Sequence, residues 1–181
     1  TINSGGTLTA PSLLTIGGSY TNNGTFTNNS GTIYSTNLST STYSGTMVGT
    51  SAFNNLTVIG DALLSFADAA STTGDFIATT TASTSITFNA GDTYTFQNFE
   101  VDGSDAGNKV SLLSSSGGSD WYIIVPGNST TTYAFIKDSD ACGSAGGGLT
   151  STSSTNGGNN TCWTFGLGPS INITGVLYSD V

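Results

Sequence analysis

The sequence predicts an all-β chain wound into a parallel solenoid (a β-helix) with coils of about 21 residues. Apolar residues tend to arrive at every second position, as a half-buried strand requires, and nine Phe, seven Tyr and two Trp are spread among the polar ones. The usual exposed helix formers are scarce, with 7% of residues charged, while Thr adds the β-branched bulk that suits a pleated surface. A short segment also recurs. Leu13-Leu14-Thr15-Ile16-Gly17 is echoed by Leu56-Thr57-Val58-Ile59-Gly60 and by Phe99-Glu100-Val101-Asp102-Gly103, with closing glycines 43 residues apart at both steps.

The second and third copies extend backwards as Phe53-Asn54-Asn55 and Phe96-Gln97-Asn98. A period of this length fits two solenoid coils. It also fits one propeller blade of about 40–45 residues, although no Gly-His or Trp-Asp blade signature is present. A β-sandwich is the main alternative, because short strands with frequent turns mark it as well. Local pattern favours the solenoid: between Tyr20 and Ile33, apolar pieces alternate with Asn-Asn-Gly and Asn-Asn-Ser-Gly corners. Asn and Gly tolerate the positive φ that sharp corners demand. In stacked coils, corner Asn side chains can also hydrogen-bond along the axis.

Cys142 and Cys162 lie 20 residues apart, close to half of the repeat. In a solenoid that places them at similar positions on neighbouring coils. Stacked strands are about 4.7–4.9 Å apart, inside the Cα range of a disulfide. A bridge here would tie the final coils together; free buried thiols are the other reading. One such pair in this composition suits an oxidising compartment.

Charge excludes several function classes. Lys109 and Lys137 are the two basic side chains against eleven acidic ones, and the net charge is −9. Nucleic-acid binding needs clustered Lys or Arg to neutralise phosphate, and anionic membrane surfaces need the same. No run of about 18 apolar residues is present for a membrane span. The chain starts at Thr1 rather than Met, so either a targeting segment has been removed or the chain was trimmed.

From about Ala90 to Phe165 the sequence resembles the right-handed parallel β-helix regions of large secreted bacterial surface and adhesin-like proteins. The residues that carry the resemblance are Ala90-Gly-Asp-Thr-Tyr-Thr-Phe96, Phe99-Glu-Val-Asp-Gly103, Val110-Ser-Leu-Leu-Ser114, Trp121-Tyr-Ile-Ile-Val125, Tyr133-Ala-Phe-Ile-Lys-Asp-Ser-Asp140 and Asn159-Asn-Thr-Cys-Trp-Thr-Phe165. The resemblance implies that each is a coil strand and that the last closes the helix. Handedness rests on it alone. Beyond it, Ile171-Asn-Ile-Thr-Gly-Val-Leu-Tyr-Ser-Asp180 is similar to the opening strand of small β-sandwich modules that follow such helices. The expected division is a solenoid over 1–168 and a terminal strand over 169–181. That strand either opens a following module or pairs with a neighbouring subunit.

Candidate sites are few. Asp138 and Asp140, two residues apart, are the best pair for acid–base work, placed by strand alternation on one face. Asp102-Gly-Ser-Asp105 and Asp138-Ser-Asp140 put carboxylates at the short spacing that calcium accepts. Neither matches an EF loop or a calcium nonapeptide, and plain turn chemistry is the favoured reading of both. Apart from that ion, no cofactor is expected. No His is present to serve a nucleophile, and Ala145-Gly-Gly-Gly148 lacks the Lys of a phosphate loop. Asn23, Asn28, Asn37, Asn55, Asn128, Asn159 and Asn172 lie in glycosylation sequons, little above the chance expectation in so Ser/Thr-rich a chain. Ser129–Thr132 is an exposed-looking run suited to O-linked sugar. Tyr122, Tyr133 and Trp163 are candidate glycan platforms, although their regular strands assign them to the core stack.

The expected function is therefore non-enzymatic: an extracellular structural subunit or segment of a surface fibre. Solenoid ends expose unpaired strand edges that need caps. The sequence offers no capping helix and no charge-rich end, so head-to-tail association into a filament is expected. The alternative is an adhesin or carbohydrate-binding module of a larger secreted protein, with glycans as partners.

Overall fold

In a computed structural model, residues 1–36, 39–60, 63–80, 82 and 84–167 are described; the terminal strand expected over 169–181 lies outside them. Among the described residues twenty strands, numbered in chain order, wind into a three-walled parallel β-solenoid. The first wall holds β2 (Leu13–Ile16), β5 (Thr32–Ser35), β7 (Asn55–Ile59), β14 (Ser129–Thr132), β17 (Leu149–Thr152) and β20 (Trp163–Gly166), with the later halves of β9 (Ser71–Thr80) and β11 (Thr93–Gly103) in the middle. The second wall stacks β3 (Tyr20–Asn22), β6 (Thr40–Gly45), β8 (Leu63–Phe66), β10 (Thr84–Phe88), β12 (Val110–Ser114), β15 (Ala134–Ile136) and β18 (Thr155–Asn156). The third runs from β1 (Thr7–Thr9) and β4 (Thr25–Thr27) through a 3-10 turn at Gly49–Ser51 and the opening halves of β9 and β11. It ends on β13 (Trp121–Ile124), β16 (Ser139–Asp140) and β19 (Asn160–Thr161). Each of these strand pairs is parallel. The sandwich and propeller alternatives are thereby set aside, since both rest on antiparallel pairing.

Coils average about 23 residues rather than 21. Their length varies because corners absorb insertions: bonded positions on adjacent coils are 19 residues apart at Thr73 and Asn54 but 30 apart at Asn128 and Asn98. The longest coil carries two added turns, one closed by Asp105 and one by Ser116 and Ser119.

The repeat seen in the sequence is real for its second and third copies. Leu56 pairs with Phe76 and Phe76 with Phe99, two coils on, and Phe53 and Phe96 likewise flank Thr72. The first copy is displaced by one residue. Leu14, not Leu13, heads the column through Ile33 to Leu56. A one-residue slip turns a side chain to the opposite face, and Leu13 is accordingly 54% exposed.

Inside, aromatic rings stack from coil to coil. Phe66, Phe88 and Trp121 lie nearly parallel, at 5.6 Å and 3.9 Å between centroids. Phe76 and Phe99 repeat the arrangement at 5.4 Å on the first wall. Corner amides bond along the axis as expected. Asn22 donates to the Thr46 carbonyl at 2.7 Å, Asn28 to that of Ala52 at 3.0 Å and Asn160 to that of Ile136 at 2.7 Å. At one corner a continuous ladder climbs four coils: Asn55 accepts from the Asp75 amide, Asn98 donates to the Asp75 carboxylate, and the Asn128 amide donates to Asn98. Gly74 sits beside it because a Cβ there would lie 2.3 Å from Asn55 Oδ1.

Three tyrosines are sealed in this interior. Burial pushes the Tyr20 and Tyr94 hydroxyls well above the usual phenol range and Tyr43 up to about 12. A tyrosine whose pKa is raised by folding contributes full stability below the unfolded value, near 10, and loses it as pH rises through the folded value. A tyrosinate absorbance titration should therefore leave a fraction of the rings un-ionised past pH 10, with their ionisation accompanying loss of the fold. Ionisation of all tyrosines near pH 10, with the fold intact, would show that these rings are wet.

Candidate functional site

The acidic residues are distributed rather than gathered. Asp102 points outward from β11 and accepts a hydrogen bond from the Thr132 hydroxyl on the next coil. Asp105 closes its turn by accepting from the Gly107 and Asn108 amides at 2.7 and 3.0 Å and from the Asn108 side chain at 3.0 Å. The Asn108 side-chain bond, followed by the Gly107 amide, holds its carboxyl below the ordinary aspartate range. Asp138 occupies a left-handed corner with φ 55, outside β16, and is buried; Asp140 ends β16, half-buried. Strand alternation therefore does not apply to them, and the shared face expected for an acid–base pair is not formed.

Asp140 Oδ1 instead accepts from the Cys142 amide at 2.8 Å. Among the described residues, the one group of His, Cys, Asp or Glu close enough to share an ion is Asp140, Cys142 and Cys162, with ligand atoms within 4.8 Å. Both sulfurs are committed to the Cys142–Cys162 disulfide, whose Cα atoms are 5.0 Å apart on neighbouring coils. Asp102, Asp105 and Asp138 join no such group among the described residues. The disulfide points to an oxidising, extracellular environment. No helix among the described residues is long and apolar enough to cross a membrane.

The aromatic candidates separate. Tyr122 lies on the outer face of β13 and is 41% exposed, so it is not a core residue. Tyr133 forms a left-handed corner with φ 46. Trp163 caps the core on the last strand, donating to Ser139 Oγ at 3.0 Å. The sequons separate too. Asn28 and Asn55 are built into corner ladders and Asn159 donates to Asp120, whereas Asn23 and Asn128 are exposed. Asn37 and Asn172 fall outside the described residues. Ser129–Thr132 is strand β14, with Thr131 buried and Thr130 exposed.

The two ends of the solenoid are what the site candidates leave. Among the described residues, β2 pairs only with β5 and β20 only with β17, so each leaves one edge of backbone N–H and C=O groups unpaired by a strand. Five apolar residues are packed on the core yet remain half-buried: Leu8, Leu14 and Ile16 in the first coil, Trp163 and Phe165 in the last. Leu167 beside them is 97% exposed. The sequence carries no Asp, Glu, Lys or Arg from Thr1 to Gly60 and none from Ala141 to Ser179. Among the described residues, side-chain charge therefore lies on the coils between the two ends, and both described ends lack the Lys residues that normally blunt an open strand edge. In comparisons with known proteins, no family model matches the chain, and no curated protein or solved structure does either.

Proposed function

We propose that this protein is a secreted, non-enzymatic structural subunit that stacks end to end into an extracellular fibre. One observation carries the proposal: the half-buried apolar residues of the core sit at the two ends, on coils with no charged side chain. Burying such residues against a partner is favourable by about 25 cal/mol per Å² of apolar surface. A second coil also satisfies the unpaired backbone groups of the edges. The contact is heterologous, last coil to first, and a heterologous contact that does not close on itself propagates as a filament. Surface-fibre and adhesin contexts both use such rods. Asp75, Asp102, Asp105 and Asp140, engaged separately in turns and cross-coil bonds, supply structure rather than chemistry in this role.

Negative-stain electron microscopy and sedimentation over a range of concentrations test it. Filaments a few nanometres wide, growing with concentration, are the expected result. A sharp monomer that persists at high concentration would reject the proposal.

A further inference from the structure

We propose that the joint between subunits is a parallel pairing of β20 with β2 of the next copy, with Trp163 over Leu14 and Phe165 over Ile16. This deepens the end-to-end function proposed above and rests on it. The strands on the first wall supply the argument. Ile16 heads an inward column that passes through Ser35, Val58, Ala78, Val101 and Thr131. Through the β14–β17 pairing that column reaches Ser151 and ends on Phe165. The neighbouring column starts at Leu14, runs through Ile33, Leu56, Phe76, Phe99 and Ser129, and ends with Leu149 beside Trp163. Each column therefore begins and ends on a half-buried apolar residue.

Stacking one copy on another along the axis, with no sideways shift, sets the end of each column over its own beginning. The strand directions agree, since every pairing in the wall is parallel. Register follows from the pleat. A slip of one residue would turn Trp163 and Phe165 to the solvent face. A slip of two would either leave Leu14 and Phe165 unpartnered or move Trp163 off the apolar column, with Leu167, which lies beyond β20, over Ile16 in its place. The other walls do not offer the same match: on the second, Asn156 ends the inward column of Leu112 and Ile136. On the third, Leu8 at one end faces Asn160 and Thr161 of β19 at the other, so the first wall is the seam on which apolar residues meet apolar residues.

In this register the exposed residues Thr15 and Thr164 lie side by side across the joint. Adjacent strands are about 4.7–4.9 Å apart, within the Cα separation a disulfide spans. The test is the double variant Thr15→Cys with Thr164→Cys in the full chain, oxidised after assembly. It is run beside each single variant and beside Thr15→Cys with Gly166→Cys. Both threonines are exposed, so folding is preserved, and peptide mapping checks that Cys142–Cys162 stays paired.

A ladder of covalent oligomers from the Thr15/Thr164 pair is the expected result, with mapping that finds the two introduced cysteines joined between copies. A ladder from Thr15/Gly166 alone overturns the register. Filaments that form but cross-link at neither pair overturn this joint while leaving end-to-end assembly standing. Absence of filaments from the unmodified protein overturns the function on which the joint rests.

Discussion

Replacing Phe88 with Ala lowers the free energy of unfolding by about 3–5 kcal/mol, measured as a fall in the denaturant midpoint. Phe88 is fully buried at the end of β10. Its ring lies flat between Phe66 on the preceding coil and Trp121 on the following one, at 5.6 and 3.9 Å. Tyr94 meets its edge at 4.8 Å. Ala removes the ring from all three contacts, and aromatic pairs contribute about 0.5–1.5 kcal/mol each beyond area burial. The walls on either side are hydrogen-bonded strands that cannot collapse inward, so the cavity persists. Position raises the cost further. In a solenoid each coil contacts only its neighbours, and Phe88 lies in the middle, so the loss uncouples the two halves. Phe88→Leu, which refills part of the space, should cost clearly less. A loss below about 1 kcal/mol for Phe88→Ala would mean that the stack is not the packed core described.

Removing the disulfide, by Cys142→Ser with Cys162→Ser, should cost about 3 kcal/mol on chain-entropy grounds for a loop of this size. That loss should be local. The bridge joins the corner after β16 to the corner after β19, next to the last described strand. Here β18 and β19 are two residues each, and β19 holds to β16 through a two-residue pairing. Hydrogen exchange over residues 149–166 should accelerate in the double variant, while β9 through β12 stay protected. Melting of all coils together would show that the end is not a separate unit. If β20 forms the joint, the same variant also assembles more weakly, because Trp163 and Phe165 lose their fixed position on the core.

Much of this protein was written in local pattern. Alternating apolar residues, Thr-rich strands and Asn/Gly corners suffice for an all-β chain. A recurring segment at a fixed interval, together with Asn/Gly corners, favours coils, because stacked coils need like residues at like positions; the parallel pairing that excludes a blade or a sandwich came from the structure. The cysteine pair was legible for the same reason: residues one coil apart are neighbours whatever the handedness. Tertiary structure decided what a period cannot. Leu13 and Leu14 read alike in sequence, and only pairing with Ile33 placed Leu14 inward and Leu13 in solvent. Asp138 and Asp140 look like one strand face until a left-handed corner separates them. Tyr122 sits in a regular alternating strand, but alternation says nothing about which of its two faces is inside. The ends belong to the same class. Their uncharged composition is visible in the sequence, but which residues head each column depends on register summed over every coil, and register is fixed by long-range pairing.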